Sequence, residues 1–149
     1  MKVSHPLLRA ALFSGATMIS TLAAAGEAIT VYKSPACGCC EAWISHLKEN
    51  GFDVTAHDTA DINRIKVDAG LTRNLASCHT AFVGDYVIEG HVPAADIHRL
   101  LAEAPQARGL SVPGMPIGSP GMEMDGRRDA YQVLLFNQDG QTRPFAHYD

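Results

Sequence analysis

The chain has 149 residues, 46% hydrophobic and 19% charged, with a formal net charge of −4 and a pI near 5.9. That length supports one compact domain with a real core. The acidic balance excludes the basic surface that nucleic-acid binding requires, so no nucleic-acid partner is expected.

Residues 1–25 read as a secretory signal peptide. Lys2 and Arg9 supply a positive start, an apolar stretch of small residues follows, and Ala23-Ala24-Ala25 has the pattern of a cleavage site, with cleavage as late as Ala28 also compatible. The apolar stretch is short and rich in Ala, Ser, Thr and Gly, so stable membrane insertion is not expected after cleavage. Residues 29–149 then form one exported domain, and a bacterial periplasm is the compartment that fits. Such a compartment oxidises thiols.

The apolar run Ile29-Thr30-Val31-Tyr32 predicts a strand, and apolar Trp43, Ile44 and Leu47 predict a helix over about 37–49. Between them lies Cys37-Gly38-Cys39-Cys40, three thiols at a helix N-terminus. Free N–H groups and the helix dipole there favour thiolate, which makes cysteines nucleophiles or metal ligands. Cys37 and Cys40 also have the Cys-x-x-Cys spacing of a redox dithiol. Crowding three sulfurs into one turn closes no useful loop, which counts against a purely structural disulfide framework.

Further along, Asn50-Gly51 predicts a turn and Phe52–His57 a second strand, parallel to the first. Ile62, Ile65, Val67 and Ala69 give a weaker helix, ended by Gly70. Residues 71–76 form a connection or helical turn. Thr80–Val83 and Tyr86–Glu89 predict a hairpin around Gly84-Asp85. Pro93–Ala104 predicts a helix with Ile97, Leu100 and Leu101 buried. The order β-α-β-α-β-β-α is that of a thioredoxin-like α/β domain. Residues 105–126 carry proline and glycine at a density that excludes a helix or central strand and predicts an extended loop, functional or disordered. A C-terminal β-hairpin follows, from Tyr131–Phe136 to an edge strand over 142–147 that contains Pro144.

In a thioredoxin-like arrangement the loop entering the third strand faces the helix that begins with the cysteines. Thioredoxins place a cis-proline there; this chain has Cys78 and His79. Cys78 should therefore meet Cys37, Cys39 and Cys40, bringing together enough sulfur for a soft metal. Four thiolates suit Cu(I), with Zn(II) as the alternative. Met115, Met122 and Met124 in the Pro/Gly loop favour copper, because thioethers prefer Cu(I). His79 is a further candidate ligand and His91 a weaker one. His46 and His98 read as helix-surface residues, and His57 is undecided.

Lys33–Trp43 with its Cys-x-Cys-Cys motif, Ser77-Cys78-His79-Thr80-Ala81, Glu89–Ala94 and Gly118–Glu123, in this order after a signal peptide, resemble the CopG-type periplasmic copper-resistance family. The family is known as a metal-binding domain of unknown function with a thioredoxin-like fold. The resemblance implies a copper protein with Cys37, Cys39, Cys40 and Cys78 as ligands, a multi-copper thiolate cluster being one form of the site. It implies redox handling between Cu(I) and Cu(II) and leaves enzymatic status open. Its partners would be copper ions and other periplasmic copper-handling or redox proteins. If the site is redox-active, Cys37 and Cys40 are the reacting pair, and copper binding and their disulfide exclude one another because a ligand must be thiolate. The competing function is a thiol-disulfide oxidoreductase, with Cys37 as nucleophile and Cys40 as resolving thiol.

Overall fold

A computed structural model describes residues 26–149; the signal-peptide reading of residues 1–25 lies outside the described residues. Strand β1 (Glu27–Lys33) leads through a turn into helix α1 (Gly38–Glu49), and β2 (Phe52–Asp58) returns parallel to β1. Helix α2 (Ile62–Asp68) and a single 3-10 turn (Arg73–Leu75) precede the antiparallel hairpin of β3 (Thr80–Val83) and β4 (Tyr86–Glu89). Helix α3 (Ala94–Glu103), β5 (Gly109–Ser111), β6 (Tyr131–Phe136) and β7 (Thr142–Tyr148) complete one mixed sheet of order β2-β1-β3-β4-β5-β6-β7. The chain is thus a single α/β domain with the expected β-α-β-α-β-β-α order and the expected C-terminal hairpin. Among the described residues no helix is long and apolar enough to cross a membrane.

Burial follows the two periodicities. Cys40, Trp43, Ile44 and Leu47 form one face of α1, and Ala94, Ile97 and Leu100 one face of α3. Both faces pack into the larger core with Ile29, Val31, Ala81, Val83 and Ile88, the alternate residues of the central strands. A smaller cluster of Ala69, Leu75, Val87 and Phe136 forms separately. Leu101, expected in the α3 stripe, is only part-buried.

Two expectations need correction. In α2, Val67 is 73% exposed, and Lys66 is buried in its place. A buried ion pair, described below, sets the helix's rotation, so the apolar pattern of a seven-residue helix was a poor guide. The second correction concerns the Pro/Gly-rich stretch, which does contain a central strand. All three residues of β5 are buried between β4 and β6. Glycine is what allows it: a Cβ on Gly109 would stand 1.8 Å from the Val87 carbonyl oxygen. The strand is too short to show a period, and its glycine reflects close backbone approach rather than a break.

The remaining loop is ordered by its own hydrogen bonds. Gly118 N–H donates to the Met122 carbonyl, Met122 N–H to Ser119, and Asp129 N–H to Ile117. At the far end, Tyr148 donates to Asp96 Oδ2 (2.7 Å), and Arg99 bonds both Asp96 and the Phe145 carbonyl. These contacts pin β7 to α3.

Replacing Gly109 with Ala should destabilise the protein by about 1–3 kcal/mol, the usual cost of forcing an atom into a packed interior. A shift of the urea midpoint at unchanged m-value would show it; an unchanged midpoint would contradict the close approach of β5 to β4.

Candidate metal centre

The first turn of α1 presents the helix cysteines. Cys37 is the N-cap residue and makes no side-chain cap, so the first-turn N–H groups have no capping side chain. Its N–H donates to Ser34, closing a tight turn. Lys33, at the end of β1, locks that turn from below: its ammonium lies 2.6 Å from both Glu41 of α1 and Asp58 of β2. Cys40 points into the core while Cys37 and Cys39 stay partly exposed.

Cys78 arrives from the loop before β3. Its Sγ stands 3.6 Å from Cys40 Sγ and 3.9 Å from Cys39 Sγ, and Cys39 Sγ is 3.5 Å from Cys37 Sγ. All four sulfurs lie within 4.8 Å of one another, as the topology argument required. Cys37 and Cys40 are joined in a disulfide, whereas Cys39 and Cys78 are free. Burial, reinforced by the neighbouring Cys39, pushes the Cys78 thiol up to about 12. Without metal it stays protonated at neutral pH, and a metal must displace that proton to bind.

The histidines contribute more than the sequence indicated. His79 and His91 are both fully buried, and they meet edge to face with ring centroids 5.0 Å apart. Cys78 Sγ lies 3.2 Å from His79 Nδ1 and 3.1 Å from His91 Nε2. The Pro120 carbonyl sits 2.8 Å from His91 Nδ1. A carbonyl only accepts, so Nδ1 carries the proton and Nε2 turns a lone pair toward Cys78. His79 packs on Trp43 at 4.3 Å, and its Nε2 is a buried polar atom without a partner among the described residues. Cys78, His79 and His91 thus form a second ligand-like group that shares the Cys78 sulfur. The donor set of sulfurs with adjacent imidazoles fits a soft or borderline metal ion.

Two further groups hold the site in place: Glu89, which sequence reasoning missed, and the Pro/Gly loop, which it read as functional or disordered without this role. Glu89, with no exposed surface, accepts from Ser77 N–H (2.6 Å), Thr80 Oγ1 (2.7 Å) and Lys66 Nζ (2.5 Å). Ser77 and Thr80 bracket Cys78 and His79, so this carboxylate fixes the loop that carries them. No peptide bond among the described residues is cis, and no proline is used there. The one signal in the sequence was a glutamate on the last position of an otherwise apolar hairpin strand. The other group is the Pro/Gly loop. Gly114 N–H donates to the Ala76 carbonyl and Ser77 Oγ donates to the Gly114 carbonyl, one residue from Cys78. Gly121, at φ +83°, lies so close to α1 that a Cβ would stand 2.7 Å from Trp43 N and 2.8 Å from the Cys39 carbonyl. The loop therefore touches both sides of the thiol cluster.

Of its methionines, Met115 and Met124 are 53% and 43% exposed, and Met122 is part-buried beside Gly121. Among the described residues, the other histidines do not join the sulfurs in a ligand group. His46 accepts from Ala94 N–H and so joins α1 to α3 rather than lying idle on the surface. His98 stacks on Phe52, and His57 stacks on Tyr32.

The chain resembles known proteins over most of its length. Residues 75–122 match the model of a family described as proteins of unknown function, DUF411. Two solved structures match over 83% of this chain. One, copper resistance protein CopG form 2, shares 47% identity at a TM-score of 0.80, with 99% of its own length covered. The chain belongs to the CopG family. The other, CopG form 1, shares 48% identity at a TM-score of 0.79, with 98% of its length covered. No curated protein matches. The stretch matched by the DUF411 model begins just before Cys78 and ends at Met122, and includes His79, His91 and Pro120.

Burial lowers the proton affinity of His46, His79 and His91 below the ordinary histidine value. All three remain neutral in the folded state over a range where the unfolded chain is protonated. Unfolding therefore takes up protons, and stability is lost as pH falls below about 6.5. Metal-free protein should be less stable at pH 5 than at pH 7.5, at a slope of up to ~1.4 kcal/mol per pH unit per histidine. Urea denaturation at the two pH values checks this, and equal stability would contradict neutral burial of the imidazoles.

Proposed function

We propose that this protein is a periplasmic copper-binding protein that holds Cu(I) on clustered thiolates and contributes to copper resistance. The observation that carries the reading is the convergence of Cys78 with Cys39 and Cys40, 3.9 and 3.6 Å away although distant in the chain. A dithiol exchanger needs only two thiols at a helix start. Two additional sulfurs and two buried imidazoles facing one of them suit a metal of the copper or zinc type.

Copper is favoured over zinc by the compartment read from residues 1–25, by the thioethers of Met115, Met122 and Met124 in the adjoining loop, and by the names of the two related structures. In this reading Cys37, Cys39, Cys40 and Cys78 are the primary ligands of the reduced protein. His79 and His91 are secondary ones, and the methionines are candidates for reaching an ion at the rim. Copper is the cargo, and Cu(II) arriving at the thiols is reduced as Cys37 and Cys40 oxidise. Glu89 and the Gly114–Pro120 segment hold the ligands at bonding range.

One observation favours a second reading. The Cys37–Cys40 disulfide opens a helix, as in thiol-disulfide oxidoreductases. Against it, the backbone on either side of Cys78 is already engaged by Glu89, Gly90 and Gly114, leaving little for a substrate peptide to pair with.

Anaerobic titration of the reduced domain with Cu(I) against a chromophoric chelator tests the first reading. Copper should be retained in competition, and Cys78→Ser should weaken retention by roughly tenfold or more, as loss of a ligand does. Failure to compete, together with insulin reduction by metal-free protein that Cys37→Ser abolishes, would establish the second reading instead.

A further inference from the structure

We propose that the two cysteine pairs divide the chemistry: Cys37 and Cys40 deliver electrons, and Cys39 and Cys78, with His79 and His91, hold copper once the disulfide has formed. This inference rests on the copper-binding reading above and assigns the disulfide state a function of its own.

The disulfide consumes only two of the four sulfurs. The two left free are both partly open to solvent, and their Sγ atoms are 3.9 Å apart. A disulfide bond needs about 2.05 Å, so these two sulfurs face each other without bonding distance. Cys78 is in addition flanked by His79 Nδ1 at 3.2 Å and His91 Nε2 at 3.1 Å. The Pro120 carbonyl fixes the His91 tautomer that can ligate. Every group of this second set therefore survives oxidation of Cys37 and Cys40. Copper binding and the disulfide exclude one another only for the sulfurs that the disulfide contains.

The change of ligand set has a chemical consequence. Four thiolates are a soft environment that favours Cu(I), whereas two sulfurs with two imidazoles suit copper in either oxidation state. The electron balance closes on Cu(II) as the oxidant. Two Cu(II) ions accept one electron each, the S–H bonds of Cys37 and Cys40 break, and the S–S bond between them forms. Two protons pass to water, and two Cu(I) ions result. Cys39 and Cys78 are unchanged in oxidation state and ligate as thiolates, the Cys78 proton passing to water as copper binds.

The test begins with reduced wild-type protein and Cu(II) under anaerobic conditions, with a Cu(I)-selective chromophore and peptide mass spectrometry. We expect about two Cu(I) per chain, because a disulfide forms by loss of two electrons. The bond should map to Cys37–Cys40, with Cys39 and Cys78 alkylated only after copper is stripped. The Cys37→Ser/Cys40→Ser variant should reduce no Cu(II). Although it binds more weakly than the wild type for want of two ligands, it should still hold Cu(I) on Cys39 and Cys78. Adding His91→Phe should weaken that remaining binding roughly tenfold or more. A Cys39–Cys78 bond in the wild type would overturn the proposal. So would loss of Cu(I) binding in the folded double variant while the wild type retains it. Native mass spectrometry of the oxidised wild type needs no variant. Copper on disulfide-bearing chains supports the proposal, and copper on reduced chains alone overturns it. Absence of Cu(I) binding even in reduced wild type would remove the parent reading as well.

Discussion

Glu89 is a carboxylate with no solvent-exposed surface, and the site depends on how its charge is satisfied. Burial alone pushes its proton affinity up, and the Lys66 ammonium with the Ser77 and Thr80 donors opposes that effect. Removing one partner of such a buried pair typically costs about 3–5 kcal/mol, because the other charge is left uncompensated. The same bonds hold the residues on both sides of Cys78 and His79. Stability of the domain and placement of the distant ligands are therefore one constraint. The rotation of α2 follows from it too, since Lys66 must face inward and Val67 is turned out to solvent.

Around that anchor the centre is assembled from parts that differ in rigidity. The helix cysteines are set by the first turn of α1 and by Lys33 beneath it. Cys78 and His79 are set by a buried charge, and His91 by a single carbonyl from the Pro/Gly loop. The loop also packs its Gly121 backbone on α1. Ligand geometry is thus shared among elements far apart in the chain, which is how this α/β fold presents a larger sulfur and nitrogen set than one helix turn could.

Much of this was legible beforehand. Long periodic segments such as Tyr131–Phe136 and the apolar face of α1 announce themselves, because burial on one side imposes a period of 2 or 3.6 residues. The short elements do not. Strand β5 has three residues and begins with a glycine, so its pattern looked like a break. His91 looked like a residue at the end of a hairpin, because the carbonyl that orients it lies 29 positions further on.

The sequence by itself determined the Cys-x-Cys-Cys turn at a helix start and the α/β order of the elements, which follow from periodicity and turn chemistry acting over short stretches. The meeting of Cys78 with the other thiols was read from that order, by the expectation that the loop before the third strand faces the cysteine helix. Only the tertiary structure decided which sulfurs are bonded and which remain free, which imidazole nitrogens face Cys78, and which buried charge holds its loop. Those choices depend on distances of 3–4 Å between residues far apart in the chain, and no local pattern encodes them.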